Sequence, residues 1–496
     1  PLLDYLELYG SIYEKDNENH FYNYIKKSLE KFKNNIFNKI SYSVIVCKTK
    51  QYKSYELFEI TKTFISEGVP VIIRPLLIFD KQYVIPDMIV KNNCIHNIFG
   101  FEPDIIDNKY SIVNIKFKTL HIDDENIIKN ISKDTMGISY WQNYILNHIQ
   151  NTKQNNVYIL GRAYTKNKIT HKKGILGVID VNSNEKLINK TKRGIEWLLE
   201  LINNGKDWNI TNPIRWELYP NMCNKNDHPW HKVKKHLTEL NEEITKVWRI
   251  GIKKRKMLHR NGIFKWKHIC EEHVSENIYE IIKINKSRTD IINNMVDKLP
   301  DIDRIFFVDF EIVNNLSVPD DSNYNNSIIY IIGCGYIKNN EWKFKTFKIT
   351  SFNISEEKRI ITQWINFMNS FNEEYIIYHW TDAEKIFLKR AAKRNRIRNL
   401  SLNFFDLYKY FIKNRIVIKG VFNYSLKTIA KSLYKLGLIN TDWADNSING
   451  LTASLYGWLE LTENNDTYTK DIIYYNEVDC KVLYEIVNLI KYNNII

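Results

Sequence analysis

With 496 residues the chain is long enough for two or three domains, each burying its own core. Its 44% hydrophobic and 13% aromatic content is that of a folded protein and excludes a disordered one, and no apolar run reaches the roughly eighteen residues that a membrane span needs. Lys and Arg number 71 against 57 Asp and Glu, a net charge of +14 that favours a polyanionic partner through counterion release from phosphates, although a basic protein that binds no nucleic acid has the same balance.

The opening residues do not form a secretion signal. The chain begins on Pro1 rather than Met, so native residues are expected ahead of it. The cysteines (Cys47, Cys94, Cys223, Cys270, Cys334 and Cys480) are scattered with no C-x-x-C pair. That spacing argues against zinc ribbons and redox dithiols, and for reduced thiols in a cytoplasmic setting.

Residues 22–40 read as an amphipathic, lysine-rich helix. Strands are expected at 43–47, 69–78, 83–90 and 110–118. A helix at 140–150, strands at 156–161 and 174–180 and a helix at 185–202 complete an α/β domain over 1–205. From 206 to 300 the chain turns helix-rich, with helices at 237–250 and 276–284. Basic clusters at Lys232, Lys234, Lys235 and at Lys253, Lys254, Arg255, Lys256, Arg260 make this connector either a solvated spacer or a DNA-tracking surface. The third region, 301–496, begins with strands at 304–310, 328–336 and 342–349. A helix at 356–371, a strand at 375–379 and helices at 384–393, 425–436 and 471–491 follow. Three strands followed by alternating helices and strands is the order of a ribonuclease H-like fold.

Two constellations carry chemistry. In the first domain, Pro86-Asp87 falls in an expected strand and Asn114-x-Lys116 in another, 27 residues on. Residues two apart on a strand share a face, so position 114 and Lys116 would point at one site. A strand with a buried Asp at a turn would give the same letters. In the third region, Asp309-x-Glu311 ends an apolar strand with both carboxylates on one side. Tyr475 and Asp479, four apart on a helix, share a face. Asp382 and Glu384 follow the strand that ends at His379.

The first constellation resembles the PD-(D/E)xK nucleases, and Gln142 and Tyr144 on the next helix, followed by Tyr158-Ile-Leu-Gly161-Arg162, make it similar to the RecB-type branch. The segments PLLDYLELYG, NIKFKTL, YILGRAYT and ELYPNM look like a giant-virus branch of that family. That branch includes the nuclease of the mimivirus virophage-resistance system, akin to CRISPR-adaptation exonucleases. The resemblance implies a restriction-endonuclease-like core in which Asp87 and position 114 hold Mg²⁺ or Mn²⁺. The metal acidifies a water, and Lys116 orients it against the scissile phosphate, with Gln142 and Tyr144 completing the site. Asn114 stands where the family has Asp or Glu. At 4 Å and an effective dielectric near 20, each lost unit of attraction is about 4 kcal/mol before desolvation, so catalysis there should be badly weakened. Two explanations compete, an introduced Asp→Asn change and natural decay of the site, and the intact Pro86-Asp87, Lys116, Gln142 and Tyr144 around it favour the introduced change, an inactivated Asp. The family's first-helix glutamate aligns with Phe32-Lys33, leaving Glu30, one turn earlier, to take its role; His20 matches an early family histidine.

The second constellation resembles the DEDD exonucleases of the ribonuclease H-like superfamily, in particular the small domain fused to some RecB-type nucleases. Phe404-Phe405-Asp406-Leu407-Tyr408 and Tyr424-Ser425-Leu426-Lys427 also match that domain. The resemblance favours Glu384 over Asp382 as the middle acid. It implies two metal ions roughly 3.5–4 Å apart held by Asp309, Glu311 and Asp479, with Asp309 bridging and Tyr475 positioning water. The protein expected from all this is a metal-dependent DNA nuclease acting from ends on double- or single-stranded DNA. The alternative is a catalytically silent DNA-binding or docking protein. By analogy with the family, a helicase and a second copy of the chain are the expected partners, and the host cytoplasm or viral factory the expected location.

Overall fold

The computed structural model describes residues 1–10, 13–47, 54–129, 131–167, 169–171, 175–287, 297–316, 327–398, 400–443 and 448–492. It is mixed α/β and divides into two compact units. The first is built chiefly from Tyr22–Lys206, the second chiefly from Asp207–Asn315 and Asn326–Ile496. The segment read as a connector thus clusters with the C-terminal region. Among the described residues no helix is long and apolar enough to cross a membrane.

In chain order the first unit comprises α1 (His20–Phe37), β1 (Ser43–Ile45), α2 (Tyr55–Glu67), β2 (Val71–Ile73), the hairpin β3 (Leu77–Phe79) and β4 (Gln82–Val84), β5 (Met88–Lys91), β6 (Tyr110–Ile122), β7 (Ile128–Lys129), α3 (Lys133–Gln150), β8 (Asn156–Lys166), β9 (Ile169–His171), β10 (Gly177–Asp180) and α4 (Glu185–Asn204). The main sheet runs β1-β2-β5-β6-β8-β10, with β7 on β6 and β9 on β8. β1 and β2 are parallel, as are β6 and β8; β2, β5 and β6 pair antiparallel. Strand alternation sends Ile72, Ile89, Ile112 and Ile159 into one core and Val71, Val90, Val113 and Tyr158 into another, so both faces are covered.

Three expectations change here. The strand expected at 69–78 breaks into β2 and β3, and the one at 83–90 into β4 and β5. Pro75 and Pro86 have no N–H for a ladder, so Asp87 lies just outside a strand, before β5. Helix α2 has no counterpart among the elements expected from sequence, because its Thr, Ile and Phe content favours strands. Its caps define it: Ser54 accepts from the Leu57 N–H, and Gly68 closes it in the left-handed region at φ 73°. The expected strand at 174–180 is found as β10; Gly174 itself lies outside the described residues.

The second unit comprises α5 (His231–Leu240), α6 (Ile252–Arg260), α7 (Glu276–Lys286), β11 (Arg304–Val313), β12 (Ile328–Lys338), β13 (Glu341–Lys348), α8 (Ile354–Asn369), β14 (Tyr375–His379), α9 (Ala383–Asn395), β15 (Phe404–Asp406), α10 (Leu407–Lys413), α11 (Leu426–Lys435), α12 (Gly450–Glu463) and α13 (Thr469–Tyr492). The helix expected at 237–250 instead begins at His231 and stops at Leu240. Glu242 takes φ 48°, and the Glu243 carboxylate accepts from the Thr245 N–H at 2.7 Å, starting a new turn.

The sheet of this unit runs β13-β12-β11-β14-β15, antiparallel through β13, β12 and β11 and parallel from β11 to β15. Central β11 separates two helical layers. Phe306 and Phe310 pack on Phe367 and Trp364 of α8, while Phe307 meets Tyr484 of α13. The same alternation puts Asp309 and Glu311 on the α13 side.

Candidate active sites

In the first unit, Glu30, Lys33, Arg74, Asp87, Asn114, Lys116 and Gln142 line one cavity of about 760 Å³. Asn114 and Lys116 come from β6 and Gln142 from α3. The Asp87 carboxylate is fully engaged: Oδ1 pairs with Lys33 Nζ at 2.7 Å, and Oδ2 accepts from the Ile115 N–H at 2.7 Å. Asn114 Oδ1 accepts from the Asp87 N–H at 3.2 Å, which turns its Nδ2 towards Gln142 Oε1 at 2.7 Å. Glu30 pairs with Arg74 at 2.9 Å. Burial holds the Lys116 ammonium below its ordinary pKa, with Asp87 pulling the other way.

The residues expected to hold a metal here do not fit one. Mg²⁺ and Mn²⁺ are held chiefly by carboxylate oxygens, with neutral carbonyl oxygens as weaker donors. Asn114 offers only an amide oxygen, already taken by the Asp87 N–H, and the ammonium of Lys33 neutralises Asp87. Tyr144 also departs from its expected role: two residues from Gln142 on α3, it points elsewhere and stacks on Trp141 at 4.9 Å. His20, in the first turn of α1, does not line the cavity. Sequence reasoning did not place Lys33 or Arg74 on this cavity; Lys33 stood out only by its place beside Phe32, where the resembled family has glutamate.

In the second unit Asp309, Glu311 and Asp479 converge, with one carboxylate oxygen of each within 4.8 Å of the others. β11 supplies the first two and α13 the third. Asn476, one turn before Asp479, donates to Asp309 Oδ2 at 2.8 Å and to its backbone oxygen at 3.2 Å. Burial, then the nearby Glu384, raises Asp309 to about 7. Burial also lifts Glu311 and Asp479 well above the carboxylate range, and the charge of Asp309 adds to it. Acids this close cannot all ionise without a compensating cation. Three hard oxygen donors with that deficit fit Mg²⁺ or Mn²⁺.

Around the carboxylates, Tyr475 faces Asp479, and Lys427 of α11 lies over the Tyr475 ring at 4.4 Å. Burial lowers the pKa of Lys427, while Asp479, Glu311 and Asp309 act to raise it. Glu384 sits slightly apart in the first turn of α9, 3.2 Å from His379 Nδ1. Burial raises Glu384 to about 8 and lowers His379 to about 4, each shift disfavouring the charged form of its group. Asp382 is half-buried and ion-paired with Lys409. Sequence reasoning missed Asn476 and Lys427 as site residues; Lys427 appeared only within the matched Tyr424–Lys427 stretch.

The basic clusters of 206–300 are partly structural. Arg255 is buried against Glu243 at 3.0 Å, and Lys234 is paired with Asp227. Lys235, Lys253, Lys256 and Arg260 remain exposed.

A family model of the RNase_H superfamily matches residues 320–491. No curated protein and no solved structure gives a significant match to the chain. The chain therefore carries an RNase H-like domain at its C-terminus, of a fold that serves metal-dependent phosphodiester hydrolysis. Glu384, Tyr475 and Asp479 fall inside the matched span; Asp309 and Glu311 precede it.

Proposed function

We propose that this protein is a metal-dependent deoxyribonuclease whose hydrolytic centre is Asp309, Glu311 and Asp479, acting from DNA ends. The convergence of these three carboxylates, Glu311 and Asp479 buried and Asp309 half-buried, carries the reading. When bound, Mg²⁺ or Mn²⁺ would acidify the attacking water and offset charge on the phosphodiester. Asp309, Glu311 and Asp479 would hold the ion, and Asn476 fixes the orientation of Asp309. Tyr475, kept protonated by burial, presents a hydroxyl beside Asp479 that can orient a water. Lys427 supplies positive charge for the phosphate. Glu384, hydrogen-bonded to His379, ties the end of β14 to the first turn of α9. End-directed cutting rests on the resemblance of the Tyr475–Asp479 pair to the DEDD exonucleases.

For the first unit, the Lys33–Asp87 pair favours the second reading, a PD-(D/E)xK-type core that holds DNA without cutting it. The free cysteines suit a reducing compartment such as the cytoplasm, and a helicase working on the same DNA is the partner the resemblance implies. Incubating the full chain with end-labelled single- and double-stranded DNA and with RNA, in Mn²⁺, Mg²⁺ or EDTA, tests the proposal. Metal-dependent shortening of DNA supports it. Cleavage of RNA alone would overturn the DNA assignment, and no hydrolysis of any substrate would overturn the enzyme reading.

A further inference from the structure

Resting on the reading of the first unit as a core that holds DNA without cutting it, we infer that its cavity is a metal-independent phosphate site, which takes a backbone phosphate of a single nucleic-acid strand, with Lys116 supplying the uncompensated charge and Lys33 an ammonium shared with Asp87. Four cations (Lys26, Lys33, Arg74, Lys116) and two carboxylates (Glu30, Asp87) line the cavity, leaving an excess of two positive charges. Both carboxylates are already committed to cations, Asp87 to Lys33 at 2.7 Å and Glu30 to Arg74 at 2.9 Å. Lys116 makes no ion pair among the described residues, and Lys26 is exposed. An incoming cation would meet this excess and would have to displace Lys33. An anion meets the opposite field.

The site is built rather than incidental. Arg74 is held at φ 49°, left-handed backbone that is uncommon for a non-glycine residue, with its N–H on the Asp87 carbonyl at 2.9 Å. Asn114 is locked between the Asp87 N–H and Gln142, so the polar floor is fixed before a ligand arrives. Trp141 contributes an apolar wall, itself stacked on Tyr144 at 4.9 Å. Against such a wall a base or sugar can pack while the phosphate meets the lysines. A cavity of about 760 Å³ has room for a nucleotide of one strand but not for a duplex.

The test uses the full chain, a fluorescein-labelled single-stranded DNA oligonucleotide and excess EDTA, so that it reads independently of any hydrolysis in the second unit. Anisotropy titrations at several salt concentrations give the affinity and its salt slope. Lys116→Ala and Lys33→Ala should each weaken binding about tenfold and flatten the slope by about 0.7, the value for one lost phosphate contact on a single strand. Lys33→Arg should keep both. Because Lys33→Ala strips Asp87 of its partner, Lys116→Ala, at a half-exposed position, is the deciding variant; unchanged affinity and slope in it overturn the proposal. A second arm measures Mn²⁺ binding by electron paramagnetic resonance in an Asp309→Ala/Asp479→Ala background. No bound ion is expected there, and one per chain once Lys33→Glu and Asn114→Asp are added. Uptake of Mn²⁺ before those two changes would equally overturn it.

Discussion

Asn476 donates to the Asp309 carboxylate at 2.8 Å from a position that exists only because residue 333 has no side chain. Gly333 lies opposite Asp309 in the β11–β12 register, and a Cβ built there would fall 1.8 Å from Asn476 Oδ1. The glycine opens the space, the asparagine fills it, and the aspartate is aimed by it. A central strand gives up a side chain at this point so that a carboxylate can be fixed.

Gly333→Ala should therefore displace the Asn476 amide and cost about 1–3 kcal/mol of stability through overpacking. Asn476→Ala, which removes the amide without adding bulk, should lower nuclease activity roughly 10–100-fold, as loss of a ligand-orienting partner does. Melting curves with initial rates on the same samples separate the two effects. Full activity in Asn476→Ala would remove it from the site.

Stability should depend on pH in a direction set by the buried carboxylates. Asp309 is raised to about 7, so between about pH 4 and pH 7 the folded chain binds more protons than the unfolded one. Folding stability in EDTA should fall as pH rises through that window and be fully present only below it. Mn²⁺ or Mg²⁺ competes with those protons, so the rise in Tm on adding metal should be small near pH 5 and large near pH 8. Equal shifts at both pH values would contradict the arrangement.

The pair Arg255–Glu243 makes a separate stability prediction. Both side chains are almost fully buried, and Arg255 Nη1 also donates to the carbonyl oxygens of Pro220 and Tyr219 at 2.8 and 3.2 Å. Arg255→Met should destabilise the second unit by about 3–5 kcal/mol, because it leaves Glu243 charged and unpaired. Chemical denaturation measures the loss. A change confined to DNA affinity would mean that Arg255 acts as a surface cation.

Much of the second site was legible because it obeys local periodicities. Asp309 and Glu311 share a strand face and Tyr475 and Asp479 a helix face, and both spacings survive folding. Asn476 was not legible, since its role needs the β11–β12 register and the absence of a side chain at 333. In the first unit, the spacing of Asn114 and Lys116 put both on the cavity correctly. The ion pair of Asp87 with Lys33, on a helix far away in sequence, is what no periodicity announces. The basic run at 253–260 misled in part, because burial of Arg255 depends on a turn at Glu242 and Glu243 that helical patterning did not suggest.

The most direct measurement is the initial rate of DNA hydrolysis in Mn²⁺ for the parent chain beside Asp309→Asn, Asp479→Asn and Asp87→Asn. Loss on the order of 10²–10³-fold in the first two, with activity retained in Asp87→Asn, is the expected result. Hydrolysis that survives Asp309→Asn and Asp479→Asn yet disappears with Asp87→Asn would contradict it and move the chemistry to the first unit.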